Sequence, residues 1–221
     1  MLADANPRIE STGKARLSSP ERRAAIVSSA MTLFAKNGFR GTTTREIASA
    51  VGVSEPVLYQ HFATKRDLYT AIVDHMVDEV RREFDCALSR FDDSTDPVTY
   101  FKWLGEMILD WYMRRNEHIR LLFFSALEGH DLAEIWHEKA TTQFLELVEH
   151  AIIVRQGQGL FREFDPKVAA RAFIGMVAHY GLTTTVFQTV TPGLTTDAAV
   201  SQFVEIYLRG LSPRSPEDQR A

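Results

Sequence analysis

Several features are scarce or missing in this chain. It has one cysteine, Cys86, in 221 residues, which excludes an intramolecular disulfide framework and suits a reducing compartment. A lone cysteine reads as a small packed hydrophobe before it reads as a nucleophile. There is no phosphate-binding P-loop, dinucleotide fingerprint, zinc-type Cys/His spacing or Gly-x-Ser-x-Gly elbow, so no catalytic residue, cofactor or metal is expected. Residues 1–13 carry Asp4, Arg8 and Glu10 and no apolar run, which argues against a secretory signal. From residue 172 to 196 there is no Asp, Glu, Lys or Arg, a length at which a membrane span must be considered. His179, Gln188, Pro192 and interspersed threonines favour a buried helix and a loop instead. The expectation is a soluble, cytoplasmic protein without membrane contact. Strand-type alternation, internal repeats and low-complexity tracts are absent too.

What remains is ordinary globular material, 45% hydrophobic and 24% charged, with enough apolar surface to offset the entropy of ordering. The formal net charge of −4 conceals an asymmetry. Residues 14–66 hold nine basic residues against Glu21, Glu46 and Glu55, whereas residues 67–221 hold fifteen basic and twenty-four acidic residues. A basic block before an acidic body points to a local polyanion-binding surface, although charge alone fits a solvated face equally well.

Helical periods and caps divide the chain into a flexible arm (1–17), a small domain (18–66), a larger helical domain (67–212) and a flexible tail (213–221). Ser19 before Pro20 reads as the cap of a first helix over 20–37, which Asn37-Gly38 stops. Thr43-Thr44-Arg45-Glu46 and Thr64-Lys65-Arg66-Asp67 are capping boxes that open the second and fourth helices. Ser54 caps the third, with Pro56 in its first turn. Along the fourth, Leu68, Ile72, Met76, Val80, Phe84, Leu88 and Phe91 form one apolar stripe. Further helices are expected at 97–114, 117–128, 131–156, 166–189 and 196–211. The fold class is therefore all-α.

Residues 44–62 carry the most informative pattern. Ile47 and Ala48 on one short helix, Gly52 and Val53 in a turn, and Leu58 and Phe62 on the next are the layout of a helix-turn-helix. Alanine lets the second helix cross closely, and glycine permits the backbone of the turn. The outward face of the third helix then presents Glu55, Pro56, Val57, Tyr59, Gln60 and His61. A bare helical hairpin is the alternative; the spacing together with the local positive charge favours double-stranded DNA.

Gly38-Phe39-Arg40-Gly41-Thr42-Thr43-Thr44-Arg45-Glu46-Ile47-Ala48, then Gly52-Val53-Ser54, then Leu58-Tyr59-Gln60-His61-Phe62-Ala63-Thr64-Lys65, resembles the DNA-binding domain of TetR-family transcriptional regulators. The resemblance covers about residues 20–70; beyond residue 75 only helical layout and length match. It implies an N-terminal three-helix DNA-binding domain on a C-terminal helical ligand-binding and dimerisation domain. It also implies a third helix in the major groove and a second-helix N-terminus, at Thr43, Thr44 and Arg45, against a phosphate. Tyr59 and His61 match the family's backbone-contacting pair and Lys65 its phosphate anchor. Base readout is expected from Glu55, Pro56, Val57 and Gln60, with Arg45 as a guanine reader and Ser54 at the start of the reading helix. A carboxylate such as Glu55 near phosphates needs a partner, and many relatives have a small residue where Pro56 stands. Lys14 and Arg16 read as a disordered tail or as an arm into the minor groove.

A helix-turn-helix of this size acts in pairs, reading the two halves of a palindromic operator. The last two helices carry the candidate homodimer face, Phe173, Val177, Gly181, Val200, Phe203, Val204 and Tyr207, with monomer core as the alternative. Gly175 and Gly181 would allow close helix approach. Trp103, Met107, Trp111, Phe123, Phe124, Trp136 and Phe144 concentrate aromatic and sulfur bulk in the middle helices, where the family resemblance implies a pocket for a small-molecule effector that Met176 also lines. Glu128, His179 and Tyr180 are its candidate polar groups, and a lipophilic or aromatic ligand is expected. The implied function is a repressor that leaves its operator when the ligand favours a conformation in which the fourth helix has swung the DNA-binding heads apart. Activation by the same dimer is the nearest alternative. Glu134-Ile135-Trp136-His137 raises a helical metal-dependent enzyme as a rival, but di-iron bundles need two such elements and only one is present.

Overall fold

A computed structural model describes residues 17–88, 91–129, 132–189 and 191–213. Residues 1–16 of the expected arm, including Lys14 and Arg16, and the tail beyond Pro213 lie outside the described residues, as do the side chains of Phe84, Cys86 and Leu88. Every regular element among the described residues is helical: α1 (Ser19–Gly41), α2 (Thr44–Val51), α3 (Glu55–His61), α4 (Lys65–Leu88), α5 (Pro97–Arg114), α6 (Asn116–Leu127), α7 (Leu132–Trp136), a π-helical turn (His137–Thr141), α8 (Thr142–Gly157), α9 (Pro166–Thr185) and α10 (Thr196–Leu211).

Side-chain caps set the helix starts, each worth about 1 kcal/mol. Ser18 caps α1, one residue before the expected Ser19, because only there does Glu21 fall at the third helical position and return a bond to the Ser18 N–H at 2.8 Å. Thr43 with Glu46, and Thr64 with Asp67, form the two expected reciprocal boxes. Gly38, at φ 74°, breaks α1 where the sequence placed its stop, and one more turn follows to Gly41. The Thr42 hydroxyl closes that turn on the Gly38 carbonyl at 2.9 Å.

Three expected helices differ from the observed ones, the one expected at 166–189 ending at Thr185. The stretch 131–156 is interrupted by the π-helical turn, whose extra residue rotates the apolar stripe without ending it, so periodicity does not register the break. Phe91 is not on α4; it lies past the helix, with its ring 4.6 Å from that of Trp103.

The buried side chains form two clusters. The first joins Ile26, Ala30 and Phe34 of α1, Ile47 and Ala48 of α2, Leu58 of α3 and Leu68, Ile72 and Met76 of α4, and it takes in Leu121 of α6. The second joins Phe101 and Leu104 of α5, Val148 and Ile152 of α8, Phe173 and Val177 of α9, and Val200 and Val204 of α10. Two glycines let its helices close up. A Cβ on Gly105 would stand 2.8 Å from Val200 Cγ1, and one on Gly181 would stand 2.7 Å from the Tyr112 ring. Arg155, 2% exposed, ties α8 to the loop before α5 by donating to the Thr95 carbonyl at 2.9 Å while lying 4.7 Å over the Tyr100 ring. Its charge is thereby placed against a π face and a carbonyl dipole.

Candidate functional site

The surface of the head follows from what its helices bury. Leu58 on α3 and Phe62 just past it face inward, with Ile47 and Ala48 in the same cluster. Gly52 adopts φ 77° in the turn, and Val53 donates to the Ala48 carbonyl at 3.0 Å to fix the next segment. Ser54, Pro56, Tyr59 and Gln60 are left exposed on the other side, with Glu55, Val57 and His61 half-buried beside them. At the start of α2 the capping box uses the N–H groups of Thr43 and Glu46. The N–H groups of Thr44 and Arg45 remain at the positive end of the helix dipole. Those cap bonds, the Thr43 N–H first, hold the Glu46 carboxyl below the usual carboxylate range.

Three side chains of the head have roles that the sequence did not disclose. Glu55 accepts the hydroxyl of Thr44, whose oxygen lies 3.3 Å from that of Tyr59. The carboxylate is thus partnered within the head and braces α3 to α2. Lys65 donates to the Phe39 carbonyl and sits 4.2 Å above the Phe39 ring, and its burial lowers its pKa. Arg23 of α1 lies 4.7 Å over the Phe62 ring at the end of α3.

In the body a cavity of about 250 Å³ opens between α4, α5, α6, α7, α8 and α9. Of the residues expected there, Met107, Trp111, Phe123 and Phe144 line it, together with Trp136. Trp111 and Trp136 stack with ring centres 5.5 Å apart and planes 22° from parallel. The buried Trp111 indole N–H has no acceptor. The other expected residues are elsewhere. Trp103 packs on Phe91 and Tyr100, Tyr180 on Phe203, Met176 against the body cluster, and His179 is exposed. Glu128 accepts the Phe39 N–H at 3.1 Å and is not among the described lining residues. Its carboxylate fits there because Gly38 has no side chain; a Cβ on Gly38 would lie 2.6 Å from Glu128 Oε1.

Helix α6 therefore touches both regions. Ile119, Leu122 and Phe123 line the cavity, while Leu121 is buried among head residues. Three polar bonds tie α6 along α1: Thr32 to Glu117 at 3.0 Å, Arg120 to the Ala35 carbonyl at 3.2 Å, and Phe39 to Glu128. A second knot joins α6 to α4, where Arg115 bridges Glu79 and Glu83 and His118 stands 3.7 Å from Glu79.

The expected dimer face needs correction. Phe173, Val177, Gly181, Val200, Val204 and Tyr207 are buried within the protomer, and Phe203 is partly buried against Tyr180. A helix that is apolar nearly all round does not tell from sequence which side meets its own chain. The exposed side of α9 instead carries Val168, Ala172, Gly175 and His179, with Leu182 half-exposed, at helical spacings of four and three, flanked by exposed Lys167 and Arg171. Ile206 on α10 is 62% exposed.

Among the described residues no group of three His, Cys, Asp or Glu side chains is placed to hold a metal ion, and Glu134 and His137 are both exposed. No described helix is long and apolar enough to cross a membrane.

A helix-turn-helix head on an α-helical body with an apolar cavity is the class of architecture defined here. The sequence profile of the bacterial regulatory proteins of the tetR family matches residues 26–72. The transcriptional activator FasR of Mycolicibacterium smegmatis is 33% identical over 108 residues, 49% of this chain and 48% of that protein. The repressor KstR2 of the same organism is 35% identical over 143 residues, 59% of this chain and 65% of that protein. The chain spans about half the length of the first curated relatives it matches. Among solved structures, AibR in complex with isovaleryl coenzyme A and operator DNA is 27% identical with a TM-score of 0.64, covering 88% of this chain and 100% of that one. Residues 26–72 thus carry the DNA-binding domain of the tetR family of bacterial regulatory proteins, and the whole chain is similar in fold to solved members such as AibR.

Proposed function

We propose that the protein is a sequence-specific transcriptional regulator that binds a palindromic operator as a homodimer and leaves it when a small lipophilic or aromatic ligand fills the body cavity. The carrying observation is the head surface, where exposed Pro56, Tyr59 and Gln60 on α3 lie beside the N–H groups of Thr44 and Arg45 at the start of α2. In this reading α3 enters the major groove, and Gln60, Pro56 and Val57 meet base edges. Thr43, Thr44, Tyr59, His61 and the remaining N–H groups of Lys65 meet phosphates, with Arg45 at the groove edge. Ser54 starts the reading helix, and Glu55 holds Thr44 and Tyr59 in place for it.

Gly175 supports pairing of two copies. It sits in mid-helix on the exposed side of α9 with nothing within 4 Å of its missing Cβ. Glycine there costs about 1 kcal/mol relative to alanine. Within the protomer nothing offsets that cost, whereas a second α9 approaching closely would require a small residue.

Ligand control follows from α6 and α4. Both line the cavity, α6 grips α1 through three polar bonds, and α4 runs directly into the head. A ligand with different affinity for two placements of α6 shifts the balance between two head orientations. AibR, solved with both an acyl ligand and operator DNA, supports the pairing of these two functions on this fold. Repression is the reading carried forward; the similarity to the activator FasR keeps activation as the second.

Anisotropy titrations of operator DNA test the head assignment. Lys65→Ala should weaken all sequences alike and lower the salt slope by about one. Gln60→Ala should relax preference at one operator position. Altered base preference in the first variant, or an unchanged preference in the second, contradicts the roles given.

A further inference from the structure

The cavity has a charge character that its apolar walls do not require. Glu83 of α4 and Asp110 of α5 are among the residues lining it, and none of the described lining residues is a lysine, arginine or histidine. Their side chains are 52% and 46% exposed, which puts them at the mouth, while the Trp111–Trp136 stack lies within the cavity wall. The guanidinium groups beside them do not cancel the charge. Arg115 is shared between Glu79 and Glu83, and Arg114 pairs with Asp110 from the solvent side, its own side chain 72% exposed. Three carboxylates thus meet two guanidinium groups. His118, next to this knot, adds no positive charge near neutral pH because burial pushes its pKa down to about 4.

We infer that the ligand this cavity selects is a compact organic cation, an amine or quaternary ammonium on an aromatic or branched aliphatic body. The inference rests on the reading of the cavity as the effector site. At about 250 Å³ the space is smaller than the ~300–1,000 Å³ usual for drug-sized ligands, so the body is compact. Its apolar part lies on Trp111, Trp136 and Phe144, and its cationic nitrogen lies between the indole faces and the carboxylates of Glu83 and Asp110. Indole faces attract a cation through the ring quadrupole, and carboxylates replace part of its lost hydration. A ligand carboxylate in the same place would meet two like charges, each already paired with an arginine, and no cation among the described lining residues.

Three probes of nearly equal size separate these terms: benzyltrimethylammonium, the uncharged 2-methyl-1-phenylpropan-2-ol and the anion 3-phenylpropionate. Tryptophan fluorescence and the shift in Tm of the full-length protein report binding. The ammonium should bind about tenfold more tightly than the alcohol, and the alcohol more tightly than the carboxylate. In Glu83→Gln/Asp110→Asn the ratio of ammonium to alcohol affinity should fall severalfold, the indole faces keeping the remainder. Equal affinities of ammonium and alcohol in the unaltered protein, a tighter carboxylate, or a cation advantage undiminished in the double variant would overturn the charge selection and leave the cavity reading standing. No binding of any of the three probes would overturn the cavity reading as well.

Discussion

His118 offers the most quantitative prediction. Its side chain is 7% exposed, neither nitrogen has a hydrogen bond, and burial, with Arg115 adding to it, pushes its pKa from 6.5 down to about 4. Glu79 at 3.7 Å opposes that shift and His75 reinforces it. In the unfolded chain the imidazole titrates near its ordinary value, so between the two pKa values the unfolded state binds a proton that the folded state refuses. Stability from this group is therefore complete above the unfolded pKa and is lost as pH falls toward the folded one. At ~1.4 kcal/mol per unit the full difference is about 3 kcal/mol, of which about 2 kcal/mol is gone by pH 5. Urea unfolding at pH 7.5 and pH 5 would measure it, with His118→Leu filling the site without titrating. The unaltered protein should lose about 2 kcal/mol more than the variant across that interval. Equal losses in the two proteins would refute the reasoning.

Other predictions follow from particular contacts. Gly181→Ala places a methyl against the Tyr112 ring and should lower stability by about 1–3 kcal/mol in thermal or urea unfolding. Gly175→Arg should leave the far-UV helix signal intact while shifting the protein to monomer in light scattering, and an unchanged mass would remove α9 from the interface. Glu128→Ala removes a charge-assisted bond between head and body, worth about 1.5–3 kcal/mol, and should uncouple operator affinity from ligand binding. A ligand response equal to that of the parent would show that α6 does not carry the signal. Glu55→Gln can still accept from Thr44 and should retain the operator preference, whereas Glu55→Ala should weaken operator binding; equal behaviour of the two in selected-sequence binding would refute the brace.

The parts of this fold that were legible in the sequence depend on short-range chemistry. The boxes at Thr43 and Thr64 are closed by residues three positions away, and the turn of the helix-turn-helix needs only Ala48, Gly52 and the inward Leu58. Periodicity also located most of the body helices, because each has a partner on at least one side. The illegible features are pairings across distance. Glu128 reads as a pocket group until Phe39, 89 residues earlier, is found against it. Glu83 and Asp110 occupy positions that look like solvent-facing turns of their helices. Arg155 looks like a surface cation, and only the fold brings the Thr95 carbonyl and the Tyr100 ring to it. The dimer-face residues failed for a related reason, since α9 is apolar on nearly every side and burial within the chain takes one of them first.

The central claim is sequence-specific binding of double-stranded DNA by the α3 surface. It is tested most directly by selecting bound fragments from random and genomic DNA and titrating salt against the best of them. The account predicts one palindrome with half-sites about one helical turn apart, bound far more tightly than scrambled DNA, with affinity falling steeply as salt rises. Weak binding that ignores sequence would contradict it.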